Sequence, residues 1–469
     1  MTAHARLRRA AEDAQRGDCA SASKAASELG DSDELDEAGR RTALSLVFLC
    51  TRYDDPPAAR HAIARAERLR AAWVWPAKFW LAADGDDATV TLAAFDAAAE
   101  HQPAFVRELD EQTVGALLSL ARSSTDPDAA ILAVLERLAQ ADFRGPSTSY
   151  DGWLALEHVR LLLQRGEVER ARARLPEHIS PELVQLLRAR TLFAPLRGDP
   201  QLEAKLDYLR AAEEATAIGL VEWKAKPSEA APLLAAMQAL RALGRPREAI
   251  EVGQRGLEVW KADPSDDASD AQRWILNEIG YAHYELSEPD LARAALERSA
   301  RFPEYGTPNV SQVINWASEL VRDALPEQAL AVIETVGSPS PYGRMWAASI
   351  RACANEQLGR IDARNAALEE LRAEERENPA AHVQALLCAN RLDEAAASMI
   401  RRLAKPELQD EAFAALHEKR PTPAEERPFP KLLGERFATV CERPDVRAAA
   451  APLGTIESIP LTSVYWGSY

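Results

Sequence analysis

A break recurs along this chain, and a proline often follows it two residues later. The stretches STDPDAA, RGDPQLE, LGRPREA, LSEPDLA and DALPEQA carry Pro127, Pro200, Pro246, Pro289 and Pro326. Proline is tolerated in the first turn of a helix, where its missing N–H has no partner to lose, and is excluded from helix interiors. Each stretch therefore ends one helix and starts another. The break residues are Thr125, Gly198, Gly244, Ser287 and Ala324. Gly17, Gly85, Gly166, Gly359 and Asn390 mark further breaks without the proline, and Tyr53 before DDPP fits the series loosely. Five residues after the break stands alanine in most units, as at Ala22, Ala130, Ala171, Ala249, Ala292, Ala329 and Ala395. A small residue there lets two antiparallel helices approach closely. The breaks lie about 37 residues apart, a period expected of stacked helical hairpins.

Composition agrees with an all-α chain. Alternating Val-, Ile- and Thr-rich runs are nearly absent, so sheet is not expected. The net charge of −17 argues against nucleic acid, because duplex binding needs a basic face. It favours a basic partner instead. No uninterrupted apolar run of about 18 residues offers a membrane span. The N-terminus has no apolar signal segment, which points to the cytoplasm. Five scattered cysteines (19, 50, 353, 388 and 441) form no CxxC and read as reduced thiols.

The units at 231–262, 273–304 and 310–337 resemble the tetratricopeptide repeat family. In the best of them Leu276, Ile279, Gly280, Ala292, Leu296 and Pro303 occupy favoured places, while His283 holds the slot of an expected aromatic and Tyr284 lies one place late. The resemblance implies an α-solenoid, a right-handed superhelix of about ten to eleven hairpins, whose first helices line the concave side. Residues 1–404 would form the array, with a change of pitch near 219–232 or at the acidic loop 261–270. Residues 405–469 would supply a helical cap, a Pro-rich connector (HEKRPTPAEERPFP, 417–430) and an extended tail. That tail is expected to cap the array or lie back into its groove; docking on a partner is the sharper alternative.

The helical phase picks out residues facing inward: Trp153 and Arg160; Gln238 and Arg241; Trp274, Asn277, Tyr281 and Tyr284; Asn315 and Arg322; and Trp346. Aromatic, arginine and amide side chains together are the composition of binding-surface centres. Such a stripe suits an extended peptide, amides pairing with its backbone and aromatics receiving its side chains. The same tryptophans would also serve to fill the joint between adjacent units. The lysines of the family's carboxylate clamp are absent, so capture of a C-terminal carboxylate is not expected.

No GxSxG, HExxH, Walker A, GxGxxG or kinase signature occurs, and the eight histidines never stand at paired ligand spacing. The expectation is a non-catalytic scaffold or adaptor that binds a protein or peptide partner, a basic one included, with no cofactor and no metal. An acidic immunity or inhibitor protein, an enzyme or small-ligand sensor in the groove, and self-assembly through the tail are the alternatives. The sequence does not specify an oligomeric state.

Overall fold

The structure is a computed structural model that describes residues 2–463 apart from 86, 145–151, 262–264 and 305. Part of the acidic loop 261–270 and residues 464–469 of the tail thus lie outside the described residues. The chain divides into two compact units, residues 1–177 and 178–469. The stretch 219–232 lies inside the second unit.

Unit 1 is helical: α1 (Ala3–Gln15), α2 (Cys19–Leu29), α3 (Glu37–Thr51), α4 (Pro56–Arg68), α5 (Val74–Ala83), α6 (Ala88–His101), α7 (Pro103–Arg107), α8 (Glu111–Arg122), α9 (Pro127–Gln140), α10 (Trp153–Gln164) and α11 (Val168–Ala173). Aspartates at 18, 36, 55, 87, 110 and 126 accept from backbone N–H groups of the first turn and start six of these helices.

Unit 2 opens with α12 (Pro181–Ala189) and the short α13 (Pro200–Glu203). After α14 (Tyr208–Ala225) the hairpins follow: α15 (Ala230–Ala242) with α16 (Pro246–Trp260), α17 (Asp266–Glu285) with α18 (Pro289–Ala300), α19 (Ser311–Arg322) with α20 (Pro326–Ile333), α21 (Pro341–Gln357) with α22 (Ile361–Ala373), and α23 (Pro379–Cys388) with α24 (Leu392–Ala404). Neighbours in sequence pack on one another throughout, which is the stacking of an α-solenoid. After α25 (Gln409–Ala415) come β1 (Glu418–Arg420), α26 (Pro428–Cys441), α27 (Pro444–Ala450) and β2 (Ser458–Thr462).

Eight of the breaks share one physical form, and Tyr53, Gly85 and Thr125 do not take it. Gly17, Gly166, Gly198, Gly244, Ser287, Ala324, Gly359 and Asn390 all adopt positive φ. At Gly244, Ser287 and Ala324 the next residue reaches back across the turn: Arg245 N–H to Leu240 O (2.8 Å), Glu288 N–H to His283 O (2.9 Å) and Leu325 N–H to Leu320 O (2.9 Å). This left-handed closure satisfies the last carbonyls of the first helix and aims the second back along it. The alanines five residues on, Ala249, Ala292 and Ala329, are fully buried against that first helix. In α17 a Cβ added at Gly280 would stand 2.7 Å from Leu296 Cγ, so the α17–α18 approach needs both small residues.

Two expectations are corrected. Cys353 and Cys388 are not free thiols: their Cα atoms are 5.2 Å apart and a disulfide joins α21 to α23. The helix-to-helix approach brings together cysteines 35 residues apart, which spacing in sequence does not reveal. The cytoplasmic expectation loses the support it drew from reduced thiols. Sheet is also present in one place, since β1 and β2 pair in parallel, Glu418 against Ser458 and Lys419 against Ile459.

The left-handed turn makes a stability prediction. Gly359 sits at φ +66° and a Cβ there meets nothing within 4 Å, so Gly359→Ala tests conformation alone. It should cost about 1 kcal/mol, and Ala324→Gly at φ +57° should gain a similar amount. Urea unfolding measures both. A loss at Ala324→Gly would show that helix propensity outweighs the turn.

Candidate functional site

The inward phase of four first helices converges. Gln238 and Arg241 of α15, Trp274, Asn277, Tyr281 and Tyr284 of α17, Asn315 and Arg322 of α19, and Trp346 of α21 line one cavity of about 1040 Å³ in unit 2. Residues four or seven apart on a helix share a face, which is why Trp274, Asn277, Tyr281 and Tyr284 arrive together. They differ in exposure. Asn277 and Tyr284 are buried, whereas Trp274, Tyr281, Asn315 and Trp346 are half-buried. Asn315 Nδ2 donates to Asn277 Oδ1 (3.0 Å), tying α19 to α17.

The wall is built on buried charge. The Arg241 guanidinium, 3% exposed, donates to Glu278 (2.5 Å) and to Glu285 (2.7 and 3.0 Å). It also lies over the Tyr281 ring, 5.0 Å from its centroid. Gln238 donates to the other oxygen of Glu278 (3.3 Å). Burial favours the protonated form of Glu285, and the Arg241 charge opposes it. On α19, Glu319 is 1% exposed and accepts from Arg322 (3.0 Å). Burial, with Glu319 nearby, raises both the Tyr281 and Tyr284 phenols above their ordinary range, so each remains a neutral donor. Tyr284 donates to Asp323 Oδ2 (2.7 Å).

The C-terminal segment closes the cavity from the other side. His417, Lys419, Pro421, Thr422, Ala424 and Arg427 all face into it. Arg427 lies over the Tyr284 ring at 4.1 Å, donating to Asp323 (2.6 Å) and Glu319 (2.8 Å). The tail continues back to the start of the unit. Thr462 Oγ1 donates to Arg241 O (2.7 Å), and Glu457 accepts from Tyr208 (2.8 Å) and Arg188 (3.1 Å). Thr455 N–H donates to Ala189 O, and Thr191 N–H to Leu453 O, both at 2.9 Å. The described part of the tail thus packs against α12, α14 and the end of α15, and of its residues Ser463 lines the cavity.

Two candidates lie in unit 1. Trp153 is half exposed at 50%, and Arg160 is held by its own helix neighbour Glu157 at 2.6 and 2.7 Å. The residues lining the cavity all belong to unit 2. Sequence reasoning missed Glu278, Glu319 and Arg427 as members of the site. Glu278 stands four after Trp274 and Glu319 four after Asn315, so helical spacing held the signal for both. Arg427 carried none, being remote in sequence. Among the described residues no group of three or more His, Cys, Asp or Glu is placed to hold a metal ion. No helix among them is long and apolar enough to cross a membrane.

No family model matches this chain, and no curated protein matches it. Solved structures that match include the crystal structure of the APC/C hetero-tetramer Cut9–Hcn1, at 10% identity and TM-score 0.31, covering 94% of each chain. Another is a circular tandem repeat protein with novel repeat topology and enhanced subunit contact surfaces, at 13% identity and TM-score 0.17, covering 96% of this chain and 90% of that one. Both overlays are low, and the fold described above rests on this chain's own helices and their packing.

One buried histidine gives unit 1 a pH dependence. His158 is fully buried on α10 beside Glu136 of α9, at 3.0 Å. Burial pushes its pKa down to about 4 from 6.5. The folded state therefore holds it neutral while the unfolded chain protonates it. Its contribution is complete above pH 6.5 and is lost as pH falls towards 4. The melting temperature should drop across that window, and His158→Gln should flatten the drop. An unchanged slope in the variant would assign the acid sensitivity to other groups.

Proposed function

We propose that this chain is a non-catalytic, tetratricopeptide-like scaffold whose unit 2 cavity binds an extended, positively charged peptide of a partner protein. The observation that carries this reading is the convergence of inward residues from four successive first helices on one cavity. Nine side chains with the composition of binding-surface centres, spread over helices α15 to α21, are more than one joint between two units needs as filling. The charge of the lining supports a cationic ligand. Eight carboxylates face five arginines and lysines, and Arg241 and Arg322 are already paired with Glu278, Glu285 and Glu319. Half-buried Trp274, Tyr281 and Trp346 add aromatic faces, which attract cations and receive apolar side chains. The net charge of −17 would steer a basic segment towards the chain.

Titration calorimetry against short synthetic peptides tests this reading. Arginine- and lysine-containing peptides should bind, weakening as salt rises. Trp274→Ala and Tyr281→Ala should each cost about tenfold or more in affinity, the scale of a central aromatic anchor. Equal affinity for acidic peptides, or binding untouched by both substitutions, would sink the proposal. Retention of only a small organic cation, with no peptide bound, would turn the site into that of a small-ligand sensor.

A further inference from the structure

Among the cationic side chains lining the cavity, Arg427 comes from the connector, and its seat is built in a particular way. Glu319 and Asp323 lie one turn apart at the end of α19, and Tyr284 presents its ring from α17. The Arg427 guanidinium spans both carboxylates, Nη1 to Asp323 Oδ1 at 2.6 Å and Nη2 to Glu319 Oε2 at 2.8 Å, with the phenol ring beneath it. A planar fork that meets two acceptors and stacks on an aromatic is matched by arginine and not by lysine.

The segment that delivers Arg427 is held at few points beyond its pairing with the tail: Arg420 donates to Leu243 O (3.2 Å), and Ala424 packs with Tyr284 and Leu296. Residues 418–421, Pro423, Glu426 and Pro428 are exposed, and only Thr422 and Ala424 of this stretch are buried. Among the described residues its backbone–backbone hydrogen bonds run locally or to the tail, as in Glu425 N–H to Thr422 O and Glu418 N–H to Glu457 O. Prolines at 421, 423, 428 and 430 favour an extended course. The seat, by contrast, is complete without its guest. Glu319 keeps Arg322 at 3.0 Å, and Asp323 keeps Arg293 and the Tyr284 hydroxyl, both at 2.7 Å. Withdrawing Arg427 leaves neither buried carboxylate unpaired, so departure avoids the main penalty of breaking a buried ion pair.

We infer that the α17–α19 junction is an arginine-recognition subsite for an extended, proline-containing peptide of a partner, and that residues 420–427 are its resident stand-in, exchanged when the partner binds. This rests on the peptide-binding reading above and narrows it to one side chain. It also makes the connector a competitor: the partner has to displace Arg427, so binding is weaker in the wild type than the seat alone would allow.

The test uses the full chain with Arg427→Ala and a fluorescein-labelled synthetic peptide of sequence PTPAQQRPFP, residues 421–430 with glutamine in place of Glu425 and Glu426 so that arginine is its one charged side chain. Fluorescence anisotropy should show at least about tenfold tighter binding to Arg427→Ala than to the wild type, the scale of one charge-assisted hydrogen bond. The same peptide with alanine for its arginine should lose that gain, and adding Tyr284→Leu to the Arg427→Ala chain should abolish it. Folded Arg427→Ala that binds the peptide no better than the wild type overturns the inference, as does equal binding of the alanine peptide. If basic peptides still bind in a manner dependent on Trp274 in that case, the cavity reading survives and only the arginine subsite falls. Should Arg427→Ala not fold, hydrogen exchange on the wild type decides. Amides of 424–427 should exchange by local opening, faster than those of α26; exchange only through opening of the whole unit overturns the exchange mechanism.

Discussion

One backbone conformation governs most hairpins of this chain: the left-handed residue at the turn between their two helices. It closes the helix on its own carbonyls and turns the following helix back against it. Because the turn is short and rigid, it also sets the rotational phase of both helices. That phase decides which side chains meet the partner helix and which meet the cavity. Ala249, Ala292 and Ala329 are buried for this reason, and Gln238, Tyr281 and Ser318, each six residues before its break, share one lining. Ser287, Ala324 and Asn390 take the conformation without being glycine. The demand of the fold overrides the local cost at those three places.

The phase is local, and local information was legible. Breaks, proline starts, buried alanines and nine of the inward residues follow from spacings of two to ten residues. What was not legible depends on residues brought together from afar. Arg427 reaches Glu319 across 108 positions, and Thr462 reaches Arg241 across 221. Nothing in the period of a helix encodes such a return. The Cys353–Cys388 bond fell between the two cases: one repeat separates the cysteines, but register alone does not say that two sulfurs touch. Glu278 and Glu319 were overlooked for a different reason. Their helical spacing was plain, but a carboxylate at an inward place reads as solvated until its buried arginine is seen.

The paired charges bear on how the cavity keeps its form. Burying Arg241, Glu278 and Glu285 costs solvation that their attraction only partly offsets, and hydrophobic residues of similar volume would often be as stable. What the network adds is geometry. Arg241 on α15 bonds two carboxylates that lie seven residues apart on α17, so α17 cannot slide by a turn without losing one of them. The Asn277–Asn315 bond does the same between α17 and α19. The cavity wall is held in register by polar contacts, whereas apolar packing behind it, around Ile275, Ile279 and Ala282, tolerates small shifts.

The tail that joins Ala189 to Thr455 also dictates the order in which unit 2 is completed during synthesis. A free-ended array grows by adding each hairpin to the last, and every intermediate is capped on all but one face. Here α12 is made first, yet Gln185 pairs with Ala414 and Arg190 with Asp410, groups that emerge over two hundred residues later. Until then the beginning of the unit waits with part of its surface uncovered. Ring closure of that length is slow because its entropy is paid before its contacts form. Contacts of α12 with α25 and of Ala189 and Thr191 with residues 453–455 thereby cover the start of the unit only after the intervening helices have been made.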